Sequence, residues 1–113
     1  MQQLNQENQT KTQTHYLWWL NPQSGKRHNA GVAFFSDEFS EFRLKLDCFP
    51  QNQFYLKAIG AQDQRVEYRA EIVQKRQGKF VGRRPVGIGY SNQEGSEVHI
   101  ELRPFTNLLV LDL

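Results

Sequence analysis

Histidines, cysteines and paired carboxylates are the usual material of a catalytic or metal site, and in this 113-residue chain they are few and scattered. His15, His28 and His99 stand far apart, and none has a second histidine or a cysteine at the spacing of a zinc-ligand pair. The single cysteine, Cys48, falls in phase with Phe42, Leu44 and Leu46, which predicts a small core residue rather than a nucleophile. Asp37, Glu38, Glu94 and Glu97 fall in turns or at strand starts, where carboxylates solvate a loop. Gly87-Ile88-Gly89 lacks the helix that a phosphate-cradling glycine loop must open. The expectation is a non-enzymatic chain with no catalytic residue, no metal and no cofactor.

The residue types that do show a coherent spacing are basic. Between positions 65 and 84 stand Arg65, Arg69, Lys75, Arg76, Lys79, Arg83 and Arg84 against only Glu67 and Glu71. From 85 to 113 the balance reverses, with Arg103 against Glu94, Glu97, Glu101 and Asp112. The net charge of +2 conceals this segregation. Lys26-Arg27 follows Ser24-Gly25 much as Lys79 follows Gln77-Gly78, so two basic hairpins are expected at matching places. Cations hold phosphates and aromatic rings stack on bases. The candidate nucleic-acid-binding set is therefore Lys26, Arg27, Lys75, Arg76, Lys79, Arg83, Arg84, Trp19 and Phe80, with single-stranded nucleic acid the favoured partner. The competing explanation is that cations at hairpin tips only keep strand edges soluble. Tyr16 and Trp18 share one strand face and Trp19 the other, so one tryptophan is expected in the core and one outside.

The elements that must position these residues read as strands throughout. Residues 41–49 alternate Phe42, Leu44, Leu46 and Cys48 with Arg43, Lys45 and Asp47, the period of a half-buried strand. Residues 65–73 alternate Val66, Tyr68, Ala70 and Ile72 against charged neighbours, and 97–103 repeat the pattern with Val98, Ile100 and Leu102. Further strands are expected over 15–20, 30–35, 53–59, from 85 onward, and over 108–113, with residues 60–64 as a polar link. At an offset of 56, Gly31 falls on Gly87, Ser40-Glu41 on Ser96-Glu97, and Phe42, Leu44 and Leu46 on Val98, Ile100 and Leu102. At an offset of 55, Phe54 and Leu56 fall on Leu109 and Leu111. This is an internal duplication. The predicted fold is all-β, with about eight short strands in two half-repeats, 15–60 and 65–113, forming a small barrel or a two-sheet sandwich.

Length and composition bound the rest. A chain of this size closes one modest core, so 15–113 is read as one domain and the Gln/Asn/Thr-rich residues 1–14 as a disordered polar tail. One cysteine excludes an internal disulfide framework. With no basic-then-apolar leader and no apolar run of spanning length, a cytoplasmic location and no membrane partner are expected. The apolar end, Leu108-Leu109-Val110-Leu111, suggests a different function: a protein-interaction adaptor or inhibitor that self-associates, as a homodimer, through its last strand.

Gly31-Val32-Ala33-Phe34, Leu46-Asp47-Cys48-Phe49-Pro50 and Gly87-Ile88-Gly89-Tyr90 with Gly95 resemble the recurring pattern of a family of small, largely uncharacterised β-domains carried on bacterial plasmids and integrative elements. The second half departs from it, because Pro104 follows Leu102 by two residues where Pro50 follows Leu46 by four. The resemblance implies an all-β fold and a mobile-element setting, and it transfers no catalytic residue.

Overall fold

The computed structural model describes residues 13–113. The tail expected over 1–14 lies outside the described residues except for Gln13 and Thr14, and Thr14 already opens the first strand. Eight strands follow: β1 Thr14–Leu20, β2 Arg27–Ser36, β3 Glu41–Leu46, β4 Phe54–Gln62, β5 Arg65–Arg76, β6 Lys79–Ser91, β7 Glu97–Leu102 and β8 Leu108–Asp112. Each pairs antiparallel with its neighbours in sequence, and β8 returns to pair with β1, closing a barrel rather than stacking two sheets. There is no helix among the described residues, and so none long and apolar enough to cross a membrane.

Alternation decides what fills the ring. Leu17, Ala33, Phe42, Leu44, Leu46, Phe54, Leu56, Ala70, Val98, Ile100, Leu102, Leu109 and Leu111 form one buried cluster inside. Eight strands leave an interior that side chains alone can fill. Each fully buried leucine or isoleucine contributes roughly 1.5–3 kcal/mol relative to exposure. The intervening positions, Arg43, Lys45, Arg69 and Glu101 among them, are exposed on the outer wall. That pattern is the inverse of a barrel whose outside faces lipid.

The duplication holds at the level of hydrogen-bond register. Gly31 pairs with Leu46 and Ala33 with Leu44, as Gly87 pairs with Leu102 and Gly89 with Ile100. Phe42 pairs with Leu56 and Val98 with Leu111, matching the offsets of 56 and 55. Leu17 pairs with Gly31 and Leu111, while Ala70 pairs with Gly87 and Leu56, so β1 is the counterpart of β5 at an offset of 53. Even the irregularities repeat: the register shifts after Leu17 and after Ala70, leaving Ala30 and Val86 as the extra residues opposite. Asp47 N then donates to Ala30 O (2.9 Å) and Arg103 N to Val86 O (3.1 Å). Glycine is required just after each bulge. A Cβ at Gly31 would collide with the Lys45 carbonyl oxygen, and one at Gly87 with that of Glu101. The two halves are thus related by a pseudo-twofold axis along the barrel.

Three expectations need correction. Cys48 is exposed, not core. The strand ends at Leu46, and a turn in which Phe49 N donates to Leu46 O (3.0 Å) shifts the phase by one, so that Phe49 packs on the core instead. Residues 60–64 are not a link: β4 runs to Gln62 and meets β5 through the two residues Asp63-Gln64, both at positive φ (55° and 66°). Asp63 is a usual first residue of such a turn, but Gln64 stands where glycine usually does. Finally, β8 is an inner member of the ring, laddered to β1 and β7, with Leu109, Val110 and Leu111 fully buried. It presents no free edge for the self-association expected of it.

Candidate nucleic-acid interface

Up-and-down order sends the β1–β2, β3–β4, β5–β6 and β7–β8 connections to one end of the barrel and the remaining turns, with both described chain ends, to the other. The two ends differ in charge. Lys26, Lys75, Arg76, Lys79, Arg84 and Arg103 belong to the first rim, with Asp47 as an opposing charge, and Asp37, Glu38, Asp63 and Glu94 to the second, with Arg65 opposing them.

At the basic rim the expected pair of fingers is present but unequal. Leu20↔Arg27 in the first half corresponds to Val73↔Arg83 in the second. Residues 21–26 join the first pair, whereas residues 74–82 join the second, which is three residues longer. The short connection is a tight turn tied by Asn21, whose Oδ1 accepts from Gln23 N (2.9 Å) and Ser24 N (3.3 Å). The long one keeps its ladder as far as Arg76↔Lys79 and turns on Gln77-Gly78, both at positive φ (55° and 79°). Residues 79–84 are therefore strand, and β6 starts at Lys79 instead of the expected 85. Beyond Ile72 the arm has no β4 ladder, and before Gly87 no β7 ladder, so it stands out from the wall as a two-stranded ribbon. Val73 N still donates to Gln53 O (2.9 Å), so the last three β5 residues form the free extension, roughly 10 Å long.

Register sorts the arm's side chains. Arg84 sits opposite Ile72, whose side chain packs against the core, so Arg84 shares the face that continues the barrel interior. Arg76 and Lys79, paired opposite each other, fall on that same face by alternation. Lys75 and Phe80 are paired on the other face, with Phe80 64% exposed. Among the described residues, Lys75, Arg76, Lys79, Arg84 and Arg103 have no carboxylate within salt-bridge distance, since the ion pairs use other cations.

Two of the candidate arginines do something else. Arg83 lies over the Tyr55 ring (3.9 Å to its centroid) and donates from Nη1 and Nη2 to the buried Glu41 carboxylate at 2.8 and 3.0 Å. Arg27 makes the equivalent fork onto Glu97 at 2.9 and 3.3 Å. Both pairs obey the offset of 56, and each joins one half of the barrel to the other. These hydrogen bonds hold both guanidinium groups above their ordinary pKa. The Arg27 fork, helped by His99, holds the Glu97 carboxyl below the usual carboxylate range against the opposing effect of burial. Arg27 and Arg83 are clasps rather than open phosphate ligands.

Trp19 turns inward, packs on the core and meets Phe105 at 5.5 Å between ring centroids, so it lies beneath the basic rim rather than on a finger. Trp18 is half-buried on the outer wall, with Nε1 donating to Asp112 Oδ2 (2.9 Å). Lys26 remains alone on the short turn. Of the nine candidate residues, the fold brings together Lys75, Arg76, Lys79, Phe80 and Arg84. Sequence reasoning missed Arg103 and Phe105. Phe105 is the counterpart of Phe49 at the offset of 56, and the two rings face each other at 5.7 Å across the pseudo-twofold axis. Among the described residues, no three His, Cys, Asp or Glu side chains gather as metal ligands. Comparison with protein-family models, curated proteins and solved structures yields no significant match.

Proposed function

We propose that this chain is a non-enzymatic nucleic-acid-binding module that holds the phosphates of a single strand along its β5–β6 arm and basic rim. The observation that carries the reading is the inward-facing row of Arg76, Lys79 and Arg84, uncommitted to carboxylates, at one end of a barrel whose other end is acidic. Such a field steers a polyanion to one end and turns it the same way at each encounter. The mobile-element setting implied by the resemblance is read as its biological context.

The test is fluorescence anisotropy of labelled single-stranded DNA, duplex DNA and RNA at low and near-physiological salt. A variant carrying Lys75→Ala, Arg76→Ala, Lys79→Ala and Arg84→Ala is run alongside; Arg83 is left in place because it holds Glu41. Micromolar or tighter binding of a single strand, with the log–log salt slope reduced by about three in the variant, is expected if the four side chains contact phosphates. Binding unchanged by the four substitutions, or no binding to any of the three ligands, would overturn the reading.

A further inference from the structure

Below the arm, the mouth of the barrel is not flat. A cavity of about 310 Å³ opens there, with Phe49, Phe105, Phe54 and Ile72 as its apolar lining and Arg84 and Arg103 beside them. Phe105 is 44% exposed although it touches both Phe49 and Trp19. An aromatic ring at a barrel end could simply complete the core, and Phe49 does so. Both rings line the cavity, but Phe49 packs on the core and Phe105 is the more exposed of the two.

We propose that this cavity is a socket for one unstacked base of the bound strand, which lies against Phe105 while its flanking phosphates meet Arg84 and Arg103. This rests on the nucleic-acid reading above and sharpens it. Three observations converge. The volume is at the lower end of the range that encloses a small ligand, which suits one nucleotide and excludes a duplex. The lining combines aromatic carbon with two arginines that have no acidic partner among the described residues, as stacking plus phosphate neutralisation requires. The arm's inner face, with Arg76 and Lys79, continues directly above it, so a strand held by the arm runs past the opening. An apolar peptide segment would gain nothing from the four cations around the opening, and a free anion would gain nothing from the rings.

Trp19 serves as a built-in reporter because its ring is 5.5 Å from that of Phe105. In a Trp18→Phe background it is the only tryptophan. Such a chain would be titrated with a ten-nucleotide oligothymidylate and with an abasic decamer bearing the same phosphates but no bases. Oligothymidylate should change Trp19 emission, and the abasic strand should bind through the arm without changing it. Phe105→Ala should weaken oligothymidylate binding about tenfold and leave abasic binding unaltered. Phe105→Leu, which keeps the apolar filling, should show the same split with an unchanged melting curve, separating loss of stacking from loss of fold. Equal affinity for the two strands with silent Trp19 would overturn the socket while leaving the arm reading intact. No binding of either strand would overturn both.

Discussion

Arg27 crosses the wall to Glu97 and Arg83 crosses it to Glu41, so each half of the barrel clasps the other by the same fork. Yet the halves set these forks in different surroundings. Glu41 is 6% exposed beneath Arg83, which also reaches Glu71 (3.4 Å) and covers Tyr55. Glu97 is more open, shares its charge with His99 (3.0 Å), and has Val110 where the other half has Tyr55. At the far end the first half fills its mouth with Phe35, Phe42 and His15, whose rings meet at 4.9 and 5.3 Å. The second half has Ser91, Val98 and Tyr68 at the matching positions, with Ser91 Oγ accepting from Val66 N (2.8 Å). What the halves share is what closes the ring: bulge, glycine, corner and fork. What differs is what each end presents, and the arm is the largest such difference.

The comparison can be broken most severely at the shared glycines. Gly31→Ala and Gly87→Ala each drive a methyl group into a carbonyl oxygen of the neighbouring strand, and each should cost about 3–5 kcal/mol in urea unfolding. Gly31 should be the worse, because its φ of 147° adds backbone strain that Gly87 does not carry. If either substitution proves harmless, the two bulges are not equivalent structural requirements.

The forks should separate next. Glu41→Gln leaves Arg83 beside a buried, uncharged partner and should cost about 2–3 kcal/mol. Glu97→Gln removes an open pair and should cost under about 1 kcal/mol. Glu97 also has a pH signature. Its folded-state pKa lies below its unfolded value, so its contribution is full above the ordinary carboxylate range and drains away as pH falls through the lowered value. Urea titrations of the parent chain and Glu97→Gln should therefore converge as pH falls below about 4. A gap that widens instead would show that the fork is not what stabilises the parent. The smallest effect is expected at Cys48, which has no counterpart in the second half. Cys48→Ala should change stability by no more than about 0.5 kcal/mol, and a thiol reagent should label Cys48 in the folded protein at the rate of a free thiol. Protection from the reagent would return it to the core.

Much of this architecture was legible because it is written in periods and repeats. Alternation over residues 41–49 and 97–103 found β3 and β7 with their observed starts but ran past their ends at Leu46 and Leu102, and the offsets of 56 and 55 anticipated that β3 with β4 and β7 with β8 are equivalent pairs. The misses share a cause: each depends on a contact that local pattern does not encode. Cys48 lost its phase to a backbone turn closed by Phe49. The inner role of β8 depended on ring closure with β1. The partners in the forks are 70 and 42 residues apart, and only the tilt of the strands brings them together. A signal was nonetheless present, since Arg27 and Arg83 repeat at the same offset as Glu41 and Glu97. Two opposite charges conserved together through a duplication mark a pair. The same logic applied to Phe49 and Phe105 would have pointed to the aromatic mouth.

The pairing of β1 with β8 has one more consequence. His15 Nδ1 lies 2.9 Å from Asp112 O, so the first and last strands end side by side, in the place that the Asp63-Gln64 turn occupies between β4 and β5 on the opposite side. The β8–β1 seam and the β4–β5 turn are thus equivalent places in one closed ring. Read around that ring, neither half precedes the other: every ladder of the first has its counterpart in the second, and the order in which the chain writes them leaves no mark on the wall.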